Sequence, residues 1–217
     1  MKRGGDLVVT LLAGSIALPI GLVIAALIRC TMGGPVIFRQ TRTGRAGAEF
    51  EILKFRTMRD KRFADEPDAP RITRLGALLR KTSLDELPQL WNVVRGEMGV
   101  IGPRPTLPEQ VVHYSPRQRG RLAIRPGLTG WAQVKGRNSI SWPERIELDL
   151  WYITNRTAGL DLRILLMTAR QLLRPAGITA VGGVNPGFPI PVPAATTTRI
   201  VLPRQATGPR IPVEEAS

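Results

Sequence analysis

The sequence predicts a mainly helical α+β protein with a membrane segment near its N-terminus. Three observations predict this fold class. A run of 22 residues from Leu7 to Ile28 carries no charge, and apolar residues recur at helical spacing in later stretches. Two apolar stretches also flank a glycine-bearing turn, which indicates a short β-hairpin. A chain of 217 residues is long enough to bury one core of ordinary size and to carry appendages.

The uncharged run is long enough to cross a bilayer. At about 1.5 Å per residue it reaches roughly 33 Å, whereas the hydrocarbon core is about 30 Å thick. It does not resemble a cleaved secretory signal, because it ends in Arg29 and Cys30 rather than in small residues. Pro19 lies in its middle and removes one backbone hydrogen bond, so we expect a kink there.

Basic residues flank the run on both sides, with Lys2 and Arg3 before it and Arg29, Arg39 and Arg42 after it. Two topologies are therefore open: a kinked helix that spans the membrane, or a broken helix that enters and leaves by the cytoplasmic face. On these physical grounds alone we favour the spanning helix. In both topologies the larger, basic part of the chain stays in the cytoplasm.

The net charge of +14, from 31 Lys and Arg against 17 Asp and Glu, predicts that the protein binds phosphates. They could belong to nucleic acid, to anionic lipid or to a phosphorylated substrate. Aromatic residues make up only 5% of the chain, which disfavours stacking on bases, so we expect no nucleic acid partner. Cys30 and His113 are each the only residue of their type, which excludes an internal disulfide and leaves zinc almost without ligands.

After the membrane segment, the pattern predicts a β-hairpin from residues 35–40 and 49–55, followed by a charged surface loop at 60–70. An amphipathic helix is expected over residues 71–80, and Gly96 is expected to end a second helix. Beyond it we predict a loop at 99–105, a short strand after Pro126, and helices at 107–114, 116–124, 142–155 and 161–173.

The expected organisation is a membrane anchor over residues 1–32, a compact domain over 33–175 and a proline-rich tail over 176–217. The tail shows no sustained hydrophobic period. Because it cannot bury enough apolar surface to order itself alone, we expect it to be extended or disordered.

The stretch Ser83-Leu84-Asp85-Glu86 places two adjacent carboxylates among residues that are otherwise mostly basic. Two interpretations are open. Ser83 and Glu86 have the spacing of a capping box, and taken alone the pattern favours such a helix start. The alternative is a catalytic site, for which Arg104, held between two prolines, would supply a cation in fixed geometry.

The chain resembles one family along most of its length, the small monotopic phosphoglycosyl transferases, which are bacterial sugar transferases. The matching motifs occur in family order and cover residues 1–173. They are Lys2-Arg3-x-x-Asp6, the apolar run with Pro19, Gly34-Pro35-Val36-Ile37-Phe38-x-Gln40, Lys54-Phe55-Arg56-Thr57-Met58, Ser83-Leu84-Asp85-Glu86-Leu87, Gly102-Pro103-Arg104-Pro105, and residues 125–134 with Gly136-Arg137-Asn138.

The resemblance implies an enzyme that moves a sugar 1-phosphate from a UDP-sugar to a polyprenyl phosphate, releases UMP and initiates glycoconjugate or exopolysaccharide assembly. It implies that Asp85 is the nucleophile and forms a covalent aspartyl-phosphosugar intermediate. Glu86 is implied to take part in catalysis and to hold Mg²⁺, while Arg80 and Arg104 are implied to bind substrate phosphates. The remaining substrate-site candidates are Lys54, Arg56, Thr57, Arg137, Asn138 and Asp161.

The resemblance also implies a membrane mode, which reverses the preference for a spanning helix. The anchor becomes a reentrant helix-break-helix bent at Pro19, where Ser15 could compensate the backbone group that the proline frees. The compact domain becomes a cytoplasmic catalytic domain with a short β-hairpin and interfacial amphipathic helices. The protein would then be monotopic, on the cytoplasmic face of the bacterial inner membrane.

The expected partners are therefore a UDP-sugar donor, a polyprenyl phosphate acceptor and membrane lipids, and a homodimer stays open. The alternative function is a membrane-tethered basic binding or scaffold protein without catalysis. The presence of Asp85, Glu86 and Arg104 argues against that alternative, because a scaffold would not need an intact acidic pair and its cation.

Overall fold

A computed structural model of the chain describes residues 3–136 and 140–173, and it confirms the mainly helical α+β class with a short hairpin. The predicted tail at 176–217 and the candidate residues Arg137 and Asn138 lie outside the described residues. The helices are α1 (Arg3–Met32), α2 (Arg74–Thr82), α3 (Gln89–Arg95), α4 (Pro108–Val111), α5 (Trp131–Lys135), α6 (Trp142–Asn155) and α7 (Ala158–Leu173). The strands are β1 (Ile37–Thr43), β2 (Glu49–Phe55), β3 (Gly99–Ile101) and β4 (Gly127–Thr129).

Helix α1 carries the predicted apolar run and is a single α-helix of 30 residues. By length and composition it could cross a membrane. The predicted break at Pro19 is not found: α1 remains helical on both sides of the proline. The helix can continue because Pro19 removes only one backbone hydrogen bond. The Ser15 hydroxyl donates to the carbonyl of Leu12 at 2.9 Å, so it contacts the preceding helical turn.

The N-terminal end of α1 is bonded to the compact domain. The Arg3 guanidinium donates to the carbonyl of Val94 at 2.7 Å, at the end of α3. The Asp6 carboxylate is buried and accepts a hydrogen bond from the backbone N–H of Val100, in β3, at 3.2 Å. Charged groups at this end of the helix are thus fixed on the domain.

The C-terminal end of α1 packs against the same domain. Ile24 and Ile28 are buried in a hydrophobic cluster that includes Phe55 of β2 and Leu79 of α2. Between the two docked ends, α1 exposes a series of large apolar side chains, namely Leu11, Leu12, Ile16, Leu18 and Leu22. Exposed apolar side chains also include Val8, Val23 and Leu27, so the apolar surface of α1 extends beside the docked residues.

The predicted hairpin is confirmed, and β1 pairs antiparallel with β2 from Ile37 opposite Phe55 to Thr43 opposite Glu49. Its outer end is tied to the next loop by a hydrogen bond of 2.9 Å from the Thr43 backbone N–H to the carbonyl of Thr106. The turn end of the hairpin therefore lies close to residues 102–105.

Helix α3 is fixed on the edge of β2 by the fully buried Asn92. Its side-chain oxygen accepts from the Leu53 N–H at 3.1 Å, and its nitrogen donates to the Glu51 carbonyl at 2.7 Å. These bonds satisfy backbone groups that would otherwise lack partners at the edge of the sheet. As predicted, α3 ends at Gly96, which has a φ of 85°.

The prediction of a loop over residues 99–105 is wrong in its first part. Residues Gly99–Ile101 form β3, which pairs parallel with β4 at Gly99 and Gly127. The glycines and prolines of the stretch suggested the loop, but all of them except Gly99 come after the strand has ended. The two strands approach closely because they lack side chains there: a Cβ on Gly127 would lie 2.1 Å from the nitrogen of Gly102.

The C-terminal helices follow the sequence closely. Helix α6 covers the predicted residues 142–155, and Ser141 caps it by accepting from the Glu144 N–H at 3.4 Å. The predicted helix at 116–124 is instead a 3₁₀ segment at Gln118–Ala123. The main core lies between α3, α5, α6, α7 and the two sheets. Its buried members are Ile52, Val93, Met98, Val100, Ile101, Trp131, Val134, Tyr152 and Ile164.

Candidate active site

The acidic pair lies in a 3₁₀ turn, Leu84–Glu86, between α2 and α3. The capping-box interpretation is wrong, because Ser83 makes no capping hydrogen bond and has a left-handed backbone conformation with a φ of 59°. Ser83 instead ends α2, and Pro88 precedes the first residue of α3. The carboxylates thus occupy a tight connection whose two ends are fixed by helices.

Glu86 is held by two cations. The Lys54 ammonium donates to its Oε1 at 2.8 Å, and the Arg104 guanidinium donates to Oε1 at 2.6 Å and to Oε2 at 3.5 Å. Burial disfavours ionisation of Glu86, but the charges and hydrogen bonds of Arg104 and Lys54 outweigh it and hold its pKa well below the usual range. Glu86 is therefore a carboxylate at all ordinary pH values.

Asp85 lies in a different environment although it is the adjacent residue. It is only 8% exposed, and within the described ranges its carboxylate has neither a hydrogen bond nor an ion pair. Burial, followed by the negative charge of Glu86, raises the pKa of Asp85 to about 6 against the opposing charges of Lys54, Arg104 and Arg80. A carboxylate with unoccupied oxygen lone pairs and a raised pKa is a suitable nucleophile near neutral pH.

Arg80 approaches Asp85 from α2. Its Nε donates to the Thr57 hydroxyl at 2.9 Å, so these two predicted site residues are brought together. The two side chains are close because α2 begins directly on Thr57: a Cβ on Gly76 would lie 1.9 Å from the Thr57 carbonyl oxygen. Burial lowers the pKa of Arg80, and the Asp85 charge acts in the opposite direction.

The structure therefore assembles four of the predicted residues, namely Lys54, Arg80, Glu86 and Arg104, around Asp85, and Thr57 joins them through its hydrogen bond from Arg80. Arg56 has a different position. Its guanidinium is buried and bonds the Gly34 carbonyl at 2.9 Å, the Met58 carbonyl at 3.0 Å and the Asp60 carboxylate at 2.8 Å. Through these contacts, Arg56 joins Gly34, which precedes β1, to Met58 and Asp60, which follow β2.

Asp161 belongs to another part of the fold. It lies in the first turn of α7 and accepts a hydrogen bond of 2.6 Å from the Tyr152 hydroxyl. Burial raises the pKa of Tyr152, and the hydrogen bond to Asp161 raises it further, so the phenol stays protonated. This contact joins α6 to α7 within the core.

The sequence interpretation did not assign a site role to Arg42. This half-buried residue of β1 donates to the Gln40 side-chain oxygen at 2.6 Å. Burial, together with the charge of Arg104, lowers the pKa of Arg42 to about 10. Side chains alternate between the two faces of a strand, so Gln40 and Arg42 share one face, and this pattern could have indicated Arg42.

The acidic pair offers a magnesium ion a restricted set of ligands. Among the residues with assigned structure, no cluster of three or more His, Cys, Asp or Glu residues could hold a metal. Asp85 has unoccupied lone pairs, and Oε2 of Glu86 accepts only the long bond of 3.5 Å from Arg104. Two carboxylates fit Mg²⁺, which commonly takes its other ligands from substrate phosphates and water.

A carboxylate pair among cations, on a domain that carries an apolar helix, is compatible with an enzyme that acts on a phosphorylated substrate at a membrane. Comparison with known proteins specifies the class. Residues 1–175 match the bacterial sugar transferase family, and the chain belongs to that family. The predictions of family membership and of a transferase enzyme are thereby confirmed.

Individual relatives cover most of the chain. The uncharacterized sugar transferase EpsL of Bacillus subtilis is 45% identical over 74% of this chain and 81% of its own length. The exopolysaccharide production protein ExoY of Rhizobium meliloti is 41% identical, over 77% and 83%. A UDP-glucose:undecaprenyl-phosphate glucose-1-phosphate transferase of Caulobacter vibrioides is 42% identical, over 79% and 69%. Other relatives are longer, and the chain spans about 41% of their length.

Proposed function

We propose that this protein transfers a sugar 1-phosphate from a UDP-sugar to a polyprenyl phosphate and releases UMP, as a first step of exopolysaccharide or glycoconjugate assembly. One observation carries the proposal: of two adjacent carboxylates, Glu86 is bound by Lys54 and Arg104 while Asp85 is not. The name of the Caulobacter vibrioides relative supports the donor and acceptor classes.

In the first step, an Asp85 carboxylate oxygen attacks the phosphorus that bears the sugar. A bond forms between Asp85 and that phosphorus, and the bond to the bridging oxygen of the diphosphate breaks, so UMP leaves with the bridging oxygen and its electron pair. In the second step, a phosphate oxygen of the lipid attacks the same phosphorus. The acyl phosphate bond then breaks, and the Asp85 carboxylate is regenerated.

The surrounding cations have defined tasks in this scheme. Arg80, beside Asp85, would neutralise the phosphoryl group under attack, while Arg104 and Lys54 keep Glu86 ionised and fixed. Glu86 would hold Mg²⁺, which would supply charge neutralisation for the diphosphate and the departing UMP. The buried position of Asp85 keeps water away from the acyl phosphate until the lipid acceptor arrives.

We further propose that α1 is reentrant and that the protein is monotopic on the cytoplasmic face of the inner membrane. The docking of Arg3 and Asp6 at one end of α1, and of Ile24 and Ile28 at the other, supports this topology. Both ends then lie on one side, and the continuous α1 would have to bend at Pro19 for its exposed apolar stretch from Val8 to Leu27 to enter the lipid.

The test is UMP release by the purified full chain with Mg²⁺, polyprenyl phosphate and a panel of UDP-sugars. We expect one or a few sugars to support turnover, and Asp85→Asn to reduce it by at least about 10³-fold. With radiolabelled sugar donor and no acceptor, the wild type should retain label after denaturation and Asp85→Asn should not. Full activity in Asp85→Asn would refute the nucleophile, and an inactive wild type with every donor would favour the scaffold alternative.

A further inference from the structure

A buried ion pair lies behind the candidate active site, between α6 and the 3₁₀ segment Gln118–Ala123. Arg121 and Asp149 are 3% and 2% exposed, and two guanidinium nitrogens of Arg121 lie 2.9 and 2.7 Å from Oδ2 of Asp149. Removing two charges from water is costly, and the mutual attraction of a pair only partly offsets that cost. A buried pair of this kind is therefore explained best by the other groups to which its side chains are hydrogen-bonded.

The remaining donors of Arg121 reach the loop that carries Arg104. Its Nη2 donates to the backbone carbonyl of Arg104 at 3.2 Å, and its Nη1 donates to the Tyr114 hydroxyl at 2.6 Å. The Tyr114 hydroxyl in turn donates to the Thr106 hydroxyl at 3.1 Å. Arg121 is thus bonded directly to one residue of the loop and through Tyr114 to another.

The loop backbone is bonded on both sides of Arg104: the Gly102 N–H donates to the Thr129 carbonyl at 2.9 Å, and the Pro103 and Thr106 carbonyls accept from Gly127 and Thr43 at 3.0 and 2.9 Å. At Arg104 itself, the backbone carbonyl accepts from Arg121. Pro103 and Pro105 stiffen its backbone, but neither has an N–H that could bond the neighbouring structure. The Arg104 side chain is 36% exposed, and among the described residues its guanidinium donates hydrogen bonds only to Glu86. Its direction therefore depends on where the loop backbone is held.

We propose that Arg121, oriented by Asp149, is a positioning residue of the transferase reaction, which fixes the Arg104 backbone so that the Arg104 guanidinium meets Glu86. The inference rests on the proposed function, because it assigns a consequence for turnover. A contiguous series of hydrogen bonds then runs from α6 through Asp149, Arg121 and Arg104 to Glu86, beside the nucleophile.

Two conservative variants test this role. Arg121→Lys keeps the charge opposite Asp149 but replaces the planar guanidinium, whose separate nitrogens reach three partners, by a single ammonium nitrogen. Tyr114→Phe removes only the hydroxyl between Arg121 and Thr106, so it remains informative if Arg121→Lys does not fold. We expect kcat/KM to fall about 10-fold in Arg121→Lys and about 3-fold in Tyr114→Phe, since each lost hydrogen bond to a charged group has an effect of that order.

The matched control is Arg117→Gln, next to the same 3₁₀ segment. Arg117 forms an ion pair with Glu147 in which the side chains are 72% and 54% exposed, and neither residue contacts the Arg104 loop in the part of the chain that the structure describes. Activity should be unchanged in this variant, because exposed ion pairs contribute little to stability.

The decisive comparison is made in an Arg104→Gln background. If Arg121 acts through Arg104, then Arg121→Lys should cause less than about a 2-fold further loss there, because the group it positions is already absent. A further 10-fold loss would overturn the proposal, because it would show that the pair only maintains the fold.

Hydrogen exchange gives a readout that does not depend on turnover. Peptides that cover residues 102–106 should exchange faster in Arg121→Lys and Tyr114→Phe than in the wild type and Arg117→Gln. Unchanged exchange in both variants would overturn the positioning role. An inactive wild type, by contrast, would refute the proposed function, and the exchange data would still decide whether Arg121 holds the loop.

Discussion

Asp85 and Glu86 are neighbours in sequence, but only Glu86 accepts hydrogen bonds from cationic side chains in the described structure. Lys54 and Arg104 keep Glu86 ionised, and the negative charge of Glu86 in turn raises the pKa of Asp85. Two residues of the same chemical type thereby lie in different electrostatic environments, which suits the different tasks that we propose for them.

The first prediction concerns the pH dependence of turnover. Because the pKa of Asp85 is raised to about 6, kcat/KM should fall about 10-fold per pH unit below pH 6 and level off above about pH 7. Initial rates of UMP release between pH 5 and 8 would measure this, at a constant Mg²⁺ concentration. A profile that stays flat down to about pH 4.5 would contradict the role of Asp85.

The second prediction is that Glu86→Gln moves this acid limb to lower pH. The substitution removes the negative charge that raises the pKa of Asp85 and leaves Lys54 and Arg104 without their carboxylate, and both effects favour the ionised Asp85. Residual activity should be much lower, and its midpoint should shift downwards by about one pH unit or more. The control is Glu51→Gln, which removes an exposed ion pair with Arg39. The midpoint of its pH profile should be the same as in the wild type.

The third prediction is that Asp85→Asn makes the protein more stable. A carboxyl group whose folded pKa is raised favours folding most below its unfolded pKa, near 4, and loses that contribution as pH rises through about 6. At pH 7.5 the ionised, buried Asp85 therefore lowers the free energy of unfolding by on the order of 1–3 kcal/mol. The neutral amide of Asn does not have this effect. Denaturant unfolding in detergent would show higher stability for the variant at pH 7.5.

The gain should largely disappear near pH 4.5, where the wild-type Asp85 is already protonated in the folded state. A variant that is less stable than the wild type at both pH values would contradict the prediction. Such a result would mean that the Asp85 carboxylate has a stabilising partner, in conflict with its position in the structure.

The sequence predicted elements that depend on local signals. The hairpin follows from two apolar stretches around a glycine-bearing turn, the start of α6 from Pro143, and the end of α3 from Gly96. The pairing of β3 with β4 was missed, because it joins stretches 28 residues apart and depends on the close approach permitted by Gly102 and Gly127. Such long-range pairing leaves little trace in a short window of sequence.

The site was predictable to a similar extent. The resemblance to the family suggested Asp85, Glu86, Arg80 and Arg104 as candidate site residues, and the structure places these four close together. Arg121 escaped notice because it follows Arg117 and Arg119 in a basic stretch that looks solvated, and only the fold shows that one of the three is buried against Asp149. Arg56 was assigned to the site by its motif, but its hydrogen bonds connect backbone segments.

The fourth prediction concerns the contact that places Arg80. A Cβ at position 76 would lie 1.9 Å from the Thr57 carbonyl oxygen, so Gly76→Ala must displace α2 from Thr57. We expect a loss of about 2–4 kcal/mol in stability and at least about a 10-fold loss in activity. Gly14→Ala is the control, because nothing lies within 4 Å of its added methyl group. Equal stability of the two variants would contradict the close approach of α2 to Thr57.

The last prediction tests the membrane topology of α1. In a Cys30→Ser background, single cysteines would be introduced at Gly4, where a side chain meets nothing within 4 Å, and at the exposed Arg45 in the hairpin turn. If α1 is reentrant, an impermeant maleimide should label both positions in inside-out vesicles and neither in right-side-out vesicles. A spanning helix would instead place Gly4 and Arg45 on opposite sides, and the reagent would then label one position in each preparation. A spanning helix would also require Arg3 and Asp6 to leave their partners Val94 and Val100. The variant Asp6→Ala should then have the same free energy of unfolding as the wild type. The reentrant topology instead predicts that this variant loses about 1–3 kcal/mol of stability.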